Sequence, residues 1–94
     1  MHTLRIEHPV PDFDAWREAF DSDPVGREQG GVRSYRVLRP IDDRKYVMID
    51  LEFDGVSEAE TFLERLRELW ARVEGRIMES PQARIVETVE SKSY

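Results

Sequence analysis

The chain has 94 residues, enough for one small domain spanning 1–94, and its formal charge of -6 opposes the basic face that nucleic-acid binding needs. It contains no cysteine, so neither disulfides nor thiolate metal sites can staple it, and self-association is the usual remaining source of apolar burial. No apolar run approaches bilayer length and the first residues lack a signal-peptide core, so a cytoplasmic protein with no membrane partner is expected.

Residues 3–8 alternate, with Leu4 and Ile6 on one side and Thr3, Arg5 and Glu7 on the other. That period of two predicts a first strand. Pro9 and Pro11 end it, because proline lacks a ladder donor and restrains its predecessor. Asp12 or Asp14 is placed to cap a helix on which Phe13, Trp16, Ala19 and Phe20 recur at helical spacing. Pro24 suits a first helical turn, so 25–29 is expected to form a short second helical piece before the stop at Gly30-Gly31.

A second strand is predicted over 32–39, with Tyr35 and Val37 on one face and Ser34, Arg36 and Leu38 on the other. Turn formers from Pro40 to Arg44 make a hairpin connection. The third strand, 45–53, carries Val47, Ile49, Leu51 and Phe53 on one face and Tyr46, Met48, Asp50 and Glu52 on the other. Ser57 and Glu60 match a capping box, and behind them Ala59, Phe62, Leu63, Leu66, Leu69, Trp70 and Val73 trace an apolar helical stripe. Gly75 is the expected stop. A fourth strand is expected over 83–90, with Ile85 and Val89 facing the core and Arg84, Val86 and Thr88 facing away.

The order strand, helix, strand, strand, helix, strand predicts an α+β fold of the ferredoxin-like kind. It is a split β-α-β unit used twice, giving a four-stranded antiparallel sheet with both helices on one face. The free sheet face then holds Arg5, Ser34, Arg36, Tyr46, Met48, Asp50, Arg84, Val86 and Thr88. An ordinary solvated face carries less Met, Tyr and Val. A homodimer that closes this face against a second copy is therefore expected. The ACT-like and RNA-recognition-like folds share the element order. The first usually has glycine after strand one, where His8-Pro9-Val10-Pro11 stands here. The second stacks bases on strand aromatics beside a basic surface, which an acidic chain lacks.

The run Pro11-Asp12-Phe13-Asp14-Ala15-Trp16-Arg17, the segment Gly31 to Val37, and Phe62-Leu63 with Leu69-Trp70 resemble small members of the dimeric α+β barrel superfamily, of the antibiotic-biosynthesis-monooxygenase-like kind. The likeness spans nearly the whole chain and rests on core and turn residues, so it speaks to fold more than to chemistry. It implies two sheets facing each other across a two-fold axis. It also implies one of several functions: monooxygenase, haem degradation, lactone isomerisation, polyketide cyclisation, or none known. Trp70 resembles the second-helix tryptophan of haem-degrading members. Their histidine ligand has no counterpart between Ile77 and Gln82, however, and the chain contains no asparagine to match theirs on the first strand.

The candidate catalytic residues are Tyr46, Asp50 and His8, and the candidate ligand-binding residues are Arg36, Met48, Arg84 and Trp70. Arg36, Tyr46, Asp50 and Arg84 should share the free sheet face, where arginine forks, a phenol and a carboxylate can hold an anionic or phenolic ligand. Asp50 paired with Arg36 or Arg84 is the plainer structural use of the same residues. His8 has the side-chain parity of Leu4 and Ile6 and an ordinary pKa near neutrality, so it can serve as a base or simply bond a neighbouring carbonyl. His2 and His8 have no third ligand in register, which leaves no metal motif. No cofactor is implied. Two readings follow: a cofactor-independent, monooxygenase-like or cyclase-like enzyme on a small aromatic or polyketide-type molecule, and a non-catalytic small-molecule-binding or structural homodimer.

Overall fold

Alternation and helical spacing produce six elements in a computed structural model that describes residues 1–73 and 78–94. They are β1 (His2–Pro9), α1 (Phe13–Asp21), β2 (Ser34–Leu38), β3 (Tyr46–Phe53), α2 (Val56–Val73) and β4 (Gln82–Glu87). The sheet order is β2-β3-β1-β4, and every neighbouring pair is antiparallel. Each helix thus carries the chain over a strand that belongs to the other half, as the split β-α-β arrangement requires. The fold is the expected ferredoxin-like α+β architecture.

Strand register sets the two faces. Leu4 lies opposite Leu51 and Ile85, and Ile6 opposite Ile49 and Ala83. These side chains, with Val47 and Phe53, form the floor under the helices. α2 lies over β1, β3 and β4 and buries Ala59, Phe62, Leu63 and Trp70. α1 buries Trp16, and its Phe13 and Phe20 extend a chain of aromatic contacts from Trp16 to Tyr35 on β2. Asp12, not Asp14, is the N-cap: its carboxylate accepts from the Asp14 and Ala15 backbone N–H groups at 3.0 and 3.5 Å.

Gly30 shows why a glycine pair precedes β2. A Cβ there would stand 2.5 Å from Cδ1 of Phe62, so the backbone runs directly against that ring. Gly31 has φ +97°, a conformation that side chains disfavour.

Four expectations fail locally. Residues 25–29 form turns, not helix, because Asp23 and Gly26 take positive φ (53° and 78°) and break any helical run. α2 begins at Val56, with the Gly55 carbonyl accepting from Ala59 at 3.5 Å, so Ser57 sits inside the first turn and is not the N-cap. β4 ends at Glu87, and Val89 is 88% exposed rather than in the core. β2 is shorter than 32–39, although the Arg33 N–H still reaches the Glu52 carbonyl at 2.8 Å. Gly75 lies outside the described residues.

Candidate functional site: a cavity beneath the helices and a polar row on the open sheet face

The sequence candidates fall on two sides of the sheet. On the face away from the helices, register aligns Arg84 on β4, Arg5 on β1, Asp50 on β3 and Arg36 on β2 in a single row. Arg5 grips Asp50 with two bonds, Nε to Oδ1 at 2.9 Å and Nη2 to Oδ2 at 3.1 Å. Arg36 adds a third, Nη2 to Oδ2 at 3.1 Å. Under these two side chains Asp50 is only 3% exposed even though the face itself is open. The Arg5 hydrogen bond is the main reason the Asp50 carboxyl is held below its ordinary range, against the opposing effect of burial. Tyr46 and Met48 share the face, but the Tyr46 hydroxyl donates to Glu7 at 2.6 Å and not to Asp50. That bond to a carboxylate is also the main cause of the raised phenol pKa. Tyr46 and Asp50 therefore have separate partners, and Arg84 lies directly opposite Arg5 rather than on Asp50.

The other two candidates, His8 and Trp70, meet on the helix side. They line a cavity of about 280 Å³ between the sheet and the helices. Its floor is Ile6, Ile49 and Leu51. Trp16, Phe20, Phe62, Leu66 and Trp70 supply walls from both helices. That volume sits at the lower end of small-molecule pockets and suits a compact aromatic body. Both tryptophans of the chain line it.

His8 is the one imidazole in this lining, and it is 1% exposed. Its parity with Leu4 and Ile6 turned it inward, and its ring packs 6.0 Å from that of Trp16. Nδ1 lies 3.1 Å from the Pro9 carbonyl oxygen. A carbonyl only accepts, so Nδ1 carries the proton and Nε2 of the neutral ring keeps its lone pair. Burial pushes the His8 pKa below its ordinary 6.5, partly offset by the Pro9 bond. At neutral pH the cavity thus contains a neutral acceptor in apolar surroundings.

His8 and Asp50 both make acid destabilising. Above 6.5 His8 is neutral whether folded or not. As pH falls below that value the unfolded chain takes up a proton that the buried ring resists, so stability drops until the lower folded pKa is reached. Asp50 adds a second loss below its unfolded value of 3.8, as its carboxylate pairing is titrated away. The urea midpoint should accordingly fall between pH 7.5 and 5 and fall further below 4. In His8→Phe the upper step should shrink, and an unchanged upper step would assign it to another group.

Sequence reasoning missed the segment that walls the cavity's far side. Ser22, Asp23, Pro24, Val25 and Arg27 all line it. Arg27 Nη1 donates to the Phe20 carbonyl at 2.7 Å, and the Arg27 backbone N–H donates to Asp23 Oδ1 at 2.9 Å. The guanidinium carbon stands 4.1 Å from the Phe20 ring centre and 4.9 Å from that of Tyr35. A lone arginine among turn residues carries no spacing signal that places it in a cavity wall. The only hint was its place between two aromatic-bearing elements.

Among the described residues, no cluster of three His, Cys, Asp or Glu is arranged to hold a metal ion, and no helix is long and apolar enough to cross a membrane. The four-stranded antiparallel sheet, its strand order and the two intervening helices define the fold class, a ferredoxin-like α+β fold. Particular solved structures share it. A putative antibiotic biosynthesis monooxygenase from Nitrosomonas europaea matches with a TM-score of 0.70 at 18% identity, covering 96% of this chain and 100% of that one. SnoaB, a cofactor-independent oxygenase from Streptomyces nogalater, matches with a TM-score of 0.77 at 11% identity, covering 96% and 94%. A dimeric ferredoxin-like protein from an uncultured marine organism matches with a TM-score of 0.66 at 8% identity over the full length of both chains. No protein-family model matches this chain, and neither does any curated protein. At these identities the likeness is one of fold.

Proposed function

We propose that the protein binds a small, neutral, apolar aromatic molecule in the cavity between sheet and helices and acts on it as a cofactor-independent, oxygenase-like or cyclase-like enzyme. The observation that carries this reading is the placement of neutral His8 among the aromatic and aliphatic side chains that make up most of the cavity lining. Nε2 accepts a proton from an acidic phenol, enol or activated methylene, and the apolar walls exclude water from the resulting anion. With dioxygen the balance needs no added reductant: an activated methylene and O₂ give a ketone and water. SnoaB is a cofactor-independent oxygenase of the same fold. The test is oxygen uptake with polycyclic hydroxyarenes in the absence of flavin and metal. Turnover above the spontaneous rate supports the enzyme, and none across such substrates leaves binding alone.

That second reading, a non-catalytic binding protein, has its own support. Among the described residues, the one arginine in the cavity lining is Arg27, and its guanidinium is already bonded to Phe20 and packed against two rings. The described lining thus supplies no spare cation for a developing oxyanion. It also argues that the ligand is neutral in either reading.

We further propose that a second copy covers the open sheet face, placing Arg36, Tyr46, Met48, Asp50 and Arg84 at the homodimer interface rather than at the reaction centre. Met48 is half-buried on that face, and dimeric ferredoxin-like proteins share the fold. Burying a carboxylate there without a partner costs several kcal/mol by usual magnitudes. Met48→Glu should therefore shift light-scattering mass from dimer to monomer at micromolar concentration while helical circular dichroism is kept. A dimer of unchanged strength would place the interface elsewhere.

A further inference from the structure

We infer that the turn over 22–27 is the gate of the cavity and that Arg27 is the positioning residue that latches it. This rests on the reading of the cavity as a ligand site and says how a ligand enters it.

Four of the described residues line the cavity and also a second groove beside α2: Pro24, Val25, Leu69 and Val73. The partition between the two spaces is therefore the turn on one side and a single edge of α2 on the other. Among the described residues, no backbone hydrogen bond joins the turn to α2. The turn's own bonds run backward and forward along the chain, Asp23 N–H to Phe20, Gly26 N–H to Asp23 and Gly30 N–H to Gly26. Displacing it would join the cavity and the second groove without breaking a sheet bond.

What holds it in place converges on Arg27. Its backbone N–H and Nε address the same Asp23 oxygen, at 2.9 and 3.6 Å. Its Nη1 tethers the turn to the Phe20 carbonyl in the last turn of α1. Its guanidinium lies over Phe20, which lines the cavity, and over Tyr35 on β2. One side chain thus joins the turn to a helix end and to the sheet. The bends on either side of Pro24-Val25 are also where the backbone takes positive φ, at Asp23 and Gly26. Asp23 holds that conformation as a non-glycine residue, which is disfavoured and is compensated here by its bonds to Arg27. Latch and hinge are therefore one unit: loss of the Arg27 contacts frees the backbone that bends.

The experiment follows 1-naphthol entering the cavity by stopped-flow quenching of Trp16 and Trp70, in wild type and in Arg27→Gln. Glutamine keeps the backbone N–H but loses the cation and the Nη1 tether. Gating predicts that association and dissociation rates both rise, by about fivefold or more, with little change in Kd, because the gate sets the barrier and not the bound state. Amide exchange should rise in parallel at 23–30 and not in β1 or β3. If the wild type binds naphthol but Arg27→Gln leaves both rates and the exchange unchanged, the latch is refuted and the cavity reading stands. A slower association, or a weaker Kd arising wholly from dissociation, makes Arg27 an ordinary wall residue and also refutes the latch. If the wild type shows no saturable quenching, the cavity reading has failed and the gate falls with it. Should Arg27→Gln not fold, Tyr35→Leu, which removes one ring beneath the guanidinium, takes its place with the same expected rise in both rates.

Discussion

Replacing His8 with phenylalanine is expected to abolish turnover, by at least about a hundredfold in kcat/KM, while the protein stays folded. General-base catalysis is ordinarily worth about that much or more. Phenylalanine fills the same apolar space beside Trp16 and carries no buried polar atom. The Pro9 carbonyl is not orphaned, because the Glu79 N–H also donates to it at 3.2 Å. Stability should therefore change by no more than about 1 kcal/mol at pH 7.5. His8→Gln sharpens the result. Glutamine offers an acceptor for a ligand hydroxyl but has no basic nitrogen, so affinity should be kept and turnover lost. If His8→Phe retains full turnover on a substrate that the wild type converts, the base lies elsewhere, and Tyr46 or Asp50 returns as the candidate. The pH profile of kcat/KM gives a further check. Activity should require the neutral ring, so it should fall on the acid side with an apparent pKa below 6.5.

The largest effect on stability is expected from Phe62→Ala, at about 3–5 kcal/mol. Phe62 is 2% exposed, packs 5.6 Å from Phe53, abuts the Gly30 backbone and walls the cavity. Its loss enlarges a space that is already open, so neighbouring side chains cannot collapse to fill it. For a domain of this size such a cost corresponds to a fall in Tm of more than about 12 °C. Gly30→Ala tests the same contact from the other side. Alone it should destabilise by about 1–3 kcal/mol, because the new methyl meets the ring. In the Phe62→Ala background that cost should largely vanish. Additive losses in the double variant would mean that Gly30 matters for its backbone and not for the ring.

These effects trace to residues whose roles were legible to different degrees. Leu4, Ile6, Ile49 and Leu51 declared both strands and their inward face, because a period of two admits only one burial pattern on a half-covered sheet. The same parity put His8 inside and Arg5, Arg36 and Asp50 outside. Local chemistry misled where tertiary contacts decide. Pro24 reads as a helix start, but Arg27 and Asp23 hold the segment as a turn against α1. Ser57 matches a capping pattern, yet the helix had begun at Val56. Val89 keeps the alternation of Ile85, but β4 stops two residues before it. The candidate site was split for a similar reason. Tyr46 and Asp50 share a face, which parity shows, but their partners Glu7 and Arg5 come from a neighbouring strand, which parity cannot choose. Spacing could pair Arg27 with Asp23 but could not place it in the cavity wall, since its other partners, Phe20 and Tyr35, lie on α1 and β2.

The claim on which the functional reading depends is that the space beneath the helices is a ligand site. Titration with 1-naphthol, followed by intrinsic fluorescence, addresses it directly because both tryptophans line that space. Ala19 also lines it and is partly buried on α1, so Ala19→Leu should fill part of the volume without touching His8 or the open sheet face. The expected result is saturable quenching at one site per chain in the wild type, with affinity lowered about tenfold or more in Ala19→Leu. Quenching that does not saturate, or that is the same in the filled variant, would contradict it.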